Sequence, residues 1–158
     1  MARRVFFSFH YDRDVRRIQQ VRQSWVVRDK GEATPFYDQA EFEEAKRRAG
    51  GIQKWIEDQL NGCSVTAVLF GRETYDREWV KYEIKRSHER GMGILAIDIH
   101  NVKDPLKGTD LAGRNPLEHW KAGEKQFTSI YRTYDWVRDD GYNNIGSWIE
   151  LAARNAGR

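Results

Sequence analysis

Glu83 is the residue in this sequence whose type and position most directly indicate chemistry. It lies in the segment Glu78–Arg86, in which apolar residues recur with helical spacing. At about 100° per residue, Glu83 falls on the helical wheel between Trp79 and Val80, inside the apolar stripe. Acidic side chains are almost never fully buried without a partner, so Glu83 predicts either a paired carboxylate or one that borders a pocket. A half-exposed Glu at the edge of the stripe is the alternative.

One carboxylate among aromatic and small polar groups is suited to stabilising a cationic centre and orienting hydroxyl groups. Cleavage of a glycosidic bond through an oxocarbenium-like transition state needs such an environment. The carboxylate pair usual in glycosidases is not evident, because Asp12 and Asp38 are equally explained as a helix cap and a strand terminator. A substrate with a good leaving group needs less acid catalysis, and the nicotinamide of NAD is such a group.

The elements that must position Glu83 are predicted by alternating apolar runs and helical repeats. Such alternation indicates a doubly wound α/β domain with a parallel sheet. The segment from about 100 to 126 is polar and too irregular for a regular element, so we interpret it as a lid, an assembly loop or an insertion. In chain order the predicted elements are a strand at Val5–Phe9, a helix from a cap at Asp12 or Asp14 to about Val27, a strand at Thr34–Asp38, a helical turn or loop at Gln39–Arg48, a helix at Ile52–Leu60, a strand at Ser64–Phe70, the Glu83 helix to about Gly91, a strand at Gly93–Ile99, a strand or irregular aromatic segment at Ser129–Val137 and a helix at Asn144–Ala153.

The predicted sheet places Glu83 beside a crevice. Open α/β sheets bind ligands beyond the carboxyl ends of their strands where the strand order reverses, which in the order 2-1-3-4-5 lies between strands one and three. The loop Phe9–Asp12 follows the first strand, and the loop Gly71–Tyr75 leads from the third strand into the Glu83 helix. Asp38 ends the second strand at the same edge. The pocket interpretation of Glu83 is therefore favoured.

Other residue types that could do chemistry form no motif of a known reaction. No Gly-rich phosphate loop follows the first strand, which argues against a dinucleotide fold or a P-loop nucleotidase. Phe70-Gly71 ends the third strand without the acid expected of a phospho-accepting receiver domain. Ser8 has no nucleophile motif around it and is interpreted as a strand residue. The histidines show no metal-ligand spacing, are interpreted as surface or loop residues and predict no metal site: His10, His88, His100 and His119.

Composition excludes several classes of protein. A length of 158 residues suits one domain, and 39% hydrophobic residues with six Trp can supply a substantial core. The net charge of +3 comes from basic residues interleaved with acids, so we expect no nucleic-acid partner, although a small phosphate-bearing ligand fits. No run approaches the roughly 20 apolar residues of a membrane helix and no signal peptide opens the chain, which predicts no membrane partner and a cytoplasmic location. The lone Cys63 predicts a small buried hydrophobe.

Several segments, in their order and spacing, resemble the Toll/interleukin-1 receptor (TIR) domains, and within that family the TIR-like subunit of bacterial Thoeris anti-phage systems. Val5–Phe9 is similar to the family's first strand and Phe36–Asp38 to its second. Trp79–Ile84 resembles the Trp-x-x-x-Glu segment that carries the catalytic Glu of NAD-consuming members. Tyr131–Val137 and Asp139–Asn143 resemble the Thoeris branch in particular.

The resemblance implies a flavodoxin-like TIR fold with a central parallel sheet of about five strands flanked by helices. It implies a single domain over residues 1–158, with the 100–126 segment as an insertion. It further implies an NAD glycohydrolase and ADP-ribosyl cyclase, which releases nicotinamide and makes a cyclic ADP-ribose isomer that activates a separate effector. NAD is then a substrate, and no cofactor is expected. Self-assembly or a phage-derived trigger is an expected partner interaction.

The resemblance also assigns roles to individual residues. Glu83 is the expected catalytic residue, holding the hydroxyls of the nicotinamide ribose and stabilising the oxocarbenium ion. Asp38 and the residues to Lys46 correspond to the family's mobile assembly loop, although Gln39–Gly51 is longer and more charged than the usual form. Residues expected to bind substrate, with Trp79 supporting Glu83 by packing, are Phe7, Ser8, Phe9, Tyr11, Asp38 and Trp79.

Two other functions remain open at this point. The first is a TIR-like interaction module that binds partners without turnover, because fold does not fix function. In such a module a buried salt bridge to Lys85 or Arg86 would satisfy Glu83. The second is a nucleotide sensor, which keeps the pocket without the chemistry.

Overall fold

A computed structural model describes residues 3–33, 44–47 and 50–158 of the chain; for residues 11–13 it describes the backbone alone. A π-helical stretch at Ser24–Arg28 continues α1, a helical turn covers residues 44–47, and a 3-10 helix covers Pro116–His119. The other elements are β1 (Arg4–Ser8), α1 (Tyr11–Gln23), β2 (Glu32–Ala33), α2 (Gly51–Leu60), β3 (Val65–Phe70), α3 (Glu78–Glu89), β4 (Gly93–Asp98), β5 (Lys121–Ala122), β6 (Lys125–Gln126), α4 (Phe127–Ile130), β7 (Arg132–Asp135) and α5 (Gly141–Asn155).

Five strands form the central sheet in the order β2-β1-β3-β4-β7, and every neighbouring pair is parallel. The predicted α/β class and the 2-1-3-4-5 order are therefore confirmed, with β7 as the fifth strand. All six residues of β3 are buried, as expected for a central strand covered by helices on both faces. The carboxyl ends of β1 and β3 lie side by side, since Ser8 pairs in register with Val68.

Alternation along the strands divides the core between the two faces of the sheet. The first core cluster lies between the sheet and helices α1 and α5 and includes Val5, Phe7, Ile18, Val21, Ala67, Leu69, Leu95, Ile97, Ile145 and Ile149. The second core cluster joins the other face to α3 and consists of Val68, Phe70, Val80, Ile84, Ile94, Ala96, Leu117 and Phe127. The third core cluster extends that face to α2 and consists of Phe6, Ala45, Ile52, Ile56, Leu60, Cys63 and Met92.

The beginning of α1 and the second strand differ from their predicted positions. Helix α1 begins at Tyr11 with His10 in the N-cap position, so the prediction of a cap at Asp12 or Asp14 is wrong. Asp14 lies inside the helix, where it is buried and accepts a hydrogen bond of 3.2 Å from Arg17. The second strand is observed at Glu32–Ala33, whereas the predicted segment Thr34–Asp38 lies outside the described residues.

The 100–126 segment is more ordered than its polar sequence indicates, so the prediction that it holds no regular element is wrong. The hairpin β5–β6 and the 3-10 helix both lie within it, and a reciprocal capping box between Asn115 and Glu118 starts that helix. Arg17 of α1, which is buried, fixes the beginning of the segment. Its guanidinium donates hydrogen bonds of 2.9 Å to the carbonyl oxygens of Val102 and Gly108.

Within the described ranges, every helix is too short or too polar to cross a lipid bilayer.

Gly93, the first residue of β4, is required by the close approach of α5. A Cβ atom at this position would lie 2.5 Å from the carbonyl oxygen of Ala152. We expect Gly93→Ala to reduce the free energy of unfolding, measured by urea denaturation, by about 1–3 kcal/mol because backbone must move. Gly146→Ala in the interior of α5 is the control: its Cβ would meet only a carboxylate oxygen of Asp29 at 3.0 Å, and Ala favours helix. Equal losses in the two variants would contradict the packing account.

Candidate functional site

Glu83 is buried on the inward face of α3, with 8% of its surface exposed. The other buried residues of the helix are Val80, Ile84 and Ser87, so the predicted position inside the apolar stripe is confirmed. Val80 and Ile84 belong to the second core cluster, which fixes the rotation of α3 against the sheet. The half-exposed alternative for Glu83 is wrong because this rotation turns its side chain toward the sheet.

Two buried hydroxyl groups attach the Glu83 turn of α3 to the central strand. The Ser87 hydroxyl donates a 2.7 Å hydrogen bond to the backbone carbonyl of Glu83, and its oxygen lies 2.6 Å from Oγ1 of Thr66 on β3. Because Ser87 has a single hydroxyl proton and donates it to the Glu83 carbonyl, Thr66 is the donor in the second bond. This chain of hydrogen bonds sets the height of Glu83 above the sheet.

The side chain of Glu83 meets Ser8, the last residue of β1. The Ser8 hydroxyl donates a 3.2 Å hydrogen bond to Oε1 of Glu83, and both groups are buried. Burial raises the pKa of Glu83 from 4.5 to about 8, and the bond from Ser8 lowers that pKa only in part. Glu83 is therefore largely protonated at neutral pH.

Neither nearby base neutralises Glu83. Arg86 instead binds Glu57 of α2 through two guanidinium nitrogens, at 2.9 and 2.6 Å. That pairing lowers the pKa of Glu57 and raises the pKa of Arg86. The ammonium of Lys85 lies 5.8 Å from the centre of the Trp120 ring. The alternative that Lys85 or Arg86 forms a buried salt bridge with Glu83 is wrong.

The structure brings together only part of the predicted substrate-binding set. Ser8 contacts Glu83 directly. Phe7 points to the opposite face of the sheet and packs in the first core cluster, because consecutive strand residues alternate, so it does not line the same space as Glu83. Phe9 is half-buried against the first core cluster at the carboxyl end of β1. The Tyr11 side chain and the whole of Asp38 lie outside the described residues.

Trp79 lies on the side of α3 that faces α2, rather than under Glu83. It packs half-buried against the third core cluster and makes an edge-to-face contact with Tyr82, with ring centres 5.9 Å apart. This packing anchors the first turn of α3 to α2 and β1. Its predicted supporting role for Glu83 stays a prediction, with the helix as the connecting element.

The 100–126 segment borders the loop between β3 and α3, which sequence reasoning did not reveal. Tyr75 in that loop is sandwiched between the His119 ring, 3.9 Å away, and the guanidinium of Arg114, 4.2 Å away. A Cβ on Gly113 would lie 2.1 Å from the carbonyl oxygen of Gly71, so the two backbones touch. No local motif links these residues, because their contact depends on the path of a long irregular segment.

The site therefore holds a buried carboxyl that is neutral in the free protein and can ionise when a cation binds beside it. In the free protein the proton is retained because burial disfavours the anion. A cation placed against the carboxyl would favour the anion, and the anion would in turn stabilise that cation. Glu83 is consequently suited to a reaction in which positive charge develops on the substrate.

Two comparisons with known proteins indicate the same family. The sequence model described as "Thoeris protein ThsB, TIR-like domain" matches residues 6–104 of the chain. A curated relative from Bacillus cereus (strain MSX-D12) is named "Putative cyclic ADP-D-ribose synthase ThsB1". It is 33% identical over 191 aligned residues, which cover 94% of this chain and 100% of the relative.

Glu83→Gln should make stability less dependent on pH. Between the ordinary pKa of 4.5 and the folded value of about 8, the native state keeps a proton that the unfolded state has lost. Rising pH through this window therefore destabilises the wild-type protein, by at most about 1.4 kcal/mol per pH unit, and Gln escapes the effect. The stability advantage of the variant, measured by urea unfolding at about pH 5 and about pH 8, should grow with pH. A difference that stays constant with pH would contradict burial of a neutral Glu83.

Proposed function

The chain belongs to the Thoeris ThsB family of TIR-like domains, and from that premise we propose that it is an NAD-cleaving enzyme of anti-phage signalling. It breaks the N-glycosidic bond of NAD, releases nicotinamide and joins the ADP-ribosyl part into a cyclic ADP-ribose isomer. The product diffuses to a separate effector and activates it. The observation that carries the proposal is the buried Glu83 carboxyl, held by Ser8 at the carboxyl end of β1.

The chemistry needs one well-placed anion. In NAD the nicotinamide ring carries a positive charge, and as its bond to the ribose breaks, nicotinamide leaves as a neutral molecule with the bonding electrons. The positive charge then moves to the ribose as an oxocarbenium ion. Glu83 as a carboxylate stabilises this ion and orients the ribose hydroxyls. A nucleophilic atom elsewhere in the ADP-ribosyl part then attacks the same carbon to close the ring, and the proton that it loses passes to water.

The surroundings of Glu83 favour this reaction in two ways. A carboxylate with few polar neighbours interacts strongly with a developing cation because little water screens it. Ser8 occupies Oε1 and leaves Oε2 for the substrate, since the described residues make no other hydrogen bond to the Glu83 side chain. Ser8 is accordingly proposed as a positioning residue, and Glu83 as the catalytic residue.

The wider biology follows from the same proposal. We expect the enzyme to act in the cytoplasm, because its proposed substrate NAD is available there. Production of a diffusible signal requires control, and we propose that self-assembly or a phage-derived cue supplies it. An interaction module or a nucleotide sensor would need no carboxyl held neutral by burial, and these two alternatives become outcomes of the turnover experiment.

Glu83→Gln should abolish NAD cleavage while the fold is kept. The amide preserves size and a hydrogen-bond acceptor for Ser8 but cannot become an anion, so we expect a loss of at least roughly 100-fold in turnover. Nicotinamide and the ADP-ribosyl product are measured by mass spectrometry, with and without lysate of phage-infected bacteria as the activating cue. Glu89→Gln, which changes an exposed residue of the same helix, should retain full activity. Full turnover by Glu83→Gln would contradict the assignment.

The rate should also depend on the protonation of Glu83. For free enzyme and free substrate, kcat/KM should rise with pH and level off near the folded pKa of about 8, because the carboxylate is the active form. Ser8→Ala removes the hydrogen bond that lowers this pKa, so its profile should shift to higher pH. A flat profile from about pH 6 to about pH 9 would contradict the role of the carboxylate.

A further inference from the structure

A second cluster of polar side chains lies at the carboxyl edge of the sheet, at the ends of β4 and β7. Asp98 ends β4 and Asp135 ends β7, and the two are direct register partners. His100 follows two residues after Asp98. One ligand atom from each of the three side chains lies within 4.8 Å of the others. We propose that Asp98, His100 and Asp135 form a binding site for a divalent transition-metal ion.

The carboxylates of Asp98 and Asp135 carry like charges on neighbouring strands, an arrangement that a cation would stabilise. Like charges directly opposite each other on neighbouring strands are destabilising. Among the described residues, no Lys or Arg forms an ion pair with either Asp98 or Asp135. The nearest group that can carry positive charge is His100, whose Nδ1 lies 2.6 Å from Oδ1 of Asp98. A bound cation would reduce the repulsion between the two carboxylates.

The ligands are held in place before any ion binds. Oδ1 of Asp135 accepts hydrogen bonds from the backbone N–H groups of Val137 and Arg138, at 3.0 and 2.9 Å. Oδ1 of Asp98 accepts the backbone N–H of His100 at 3.0 Å. These bonds fix both carboxylates and leave Oδ2 of Asp98 without a partner in the described structure. Ligands oriented by such surrounding bonds bind metal more tightly.

The donor set decides which ion fits. One imidazole with two carboxylates favours Mn²⁺, Co²⁺, Ni²⁺ or Zn²⁺ over Mg²⁺ and Ca²⁺, which prefer oxygen ligands alone. The side chains of Asp98 and His100 are each 18% exposed, so water can complete the coordination shell. Three protein ligands with open positions make an exchangeable site rather than a closed structural one.

The proposed metal site is separate from the candidate catalytic site. Ser8 lies on β1 and Asp98 on β4, with β3 between them, which corresponds to about 10 Å across the sheet. The spacing of the histidines in the sequence predicted no metal site. Asp135 is distant in sequence from His100, and only the β4–β7 register brings it near.

The test is a titration of the chelator-treated full chain with Mn²⁺, followed by electron paramagnetic resonance of the free ion and by thermal unfolding. We expect one bound ion, a rise in Tm, and weaker binding of Mg²⁺ than of Mn²⁺. Asp135→Asn should weaken Mn²⁺ binding by at least roughly tenfold. It keeps an acceptor for the N–H groups of Val137 and Arg138, so the fold is retained.

Asp58→Asn is the matched control, because Asp58 is an exposed aspartate paired with Lys54 on α2. It should bind Mn²⁺ as the wild type does. His100→Gln gives an independent second variant and should also lose affinity. The proposal is overturned if the wild type binds no Mn²⁺ at millimolar concentration, or if Asp135→Asn and His100→Gln bind it as tightly as Asp58→Asn does. Neither result depends on NAD turnover, so the test is independent of the proposed function.

Discussion

The hydrogen bond from Ser8 to Glu83 joins the end of β1 to the inward face of α3, and the chemistry that we propose depends on it. Burial keeps the carboxyl protonated, while one hydroxyl group offsets only part of the cost of ionisation. A second hydrogen-bond donor or an Arg partner would turn Glu83 into an ordinary structural anion. Because Glu83 has few polar partners, its charge stays available to the cation of the proposed substrate.

A neutral carboxyl in a core must be held there by other contacts. Thr66 and Ser87 fix the helix backbone at Glu83, and the pair Arg86–Glu57 joins α3 to α2. The second and third core clusters supply the apolar contacts that orient the helix. The 100–126 segment, anchored by Arg17, then closes against the loop that leads into α3. Function depends on the side chains placed on this arrangement of sheet and helix, because a fold alone does not fix function.

Much of this arrangement could be predicted from the sequence, because it rests on local periodicity. The apolar runs at β3 and β4 and the stripe around Glu83 predicted the fold class and the buried carboxylate, and the strand order followed from that fold class. The partner of Glu83 was only implied by resemblance, since Ser8 carries no motif. Phe7 was likewise implied by the resemblance alone, and the alternation of β1 puts it on the opposite face of the sheet from Ser8. The contacts of Arg17, Tyr75 and Asp135 join residues remote in sequence, and no local pattern reports them.

The central claim is that Glu83 is a carboxyl kept neutral by burial at a site that admits a cation. NMR titration of the glutamate side-chain carboxyl carbons, with the Glu83 signal identified by its absence in Glu83→Gln, measures this directly. The account predicts a pKa of about 8 for Glu83 in the free protein, well above the ordinary 4.5, and a lower value when NAD is bound. Titration of Glu83 near 4.5 in the free protein would contradict it.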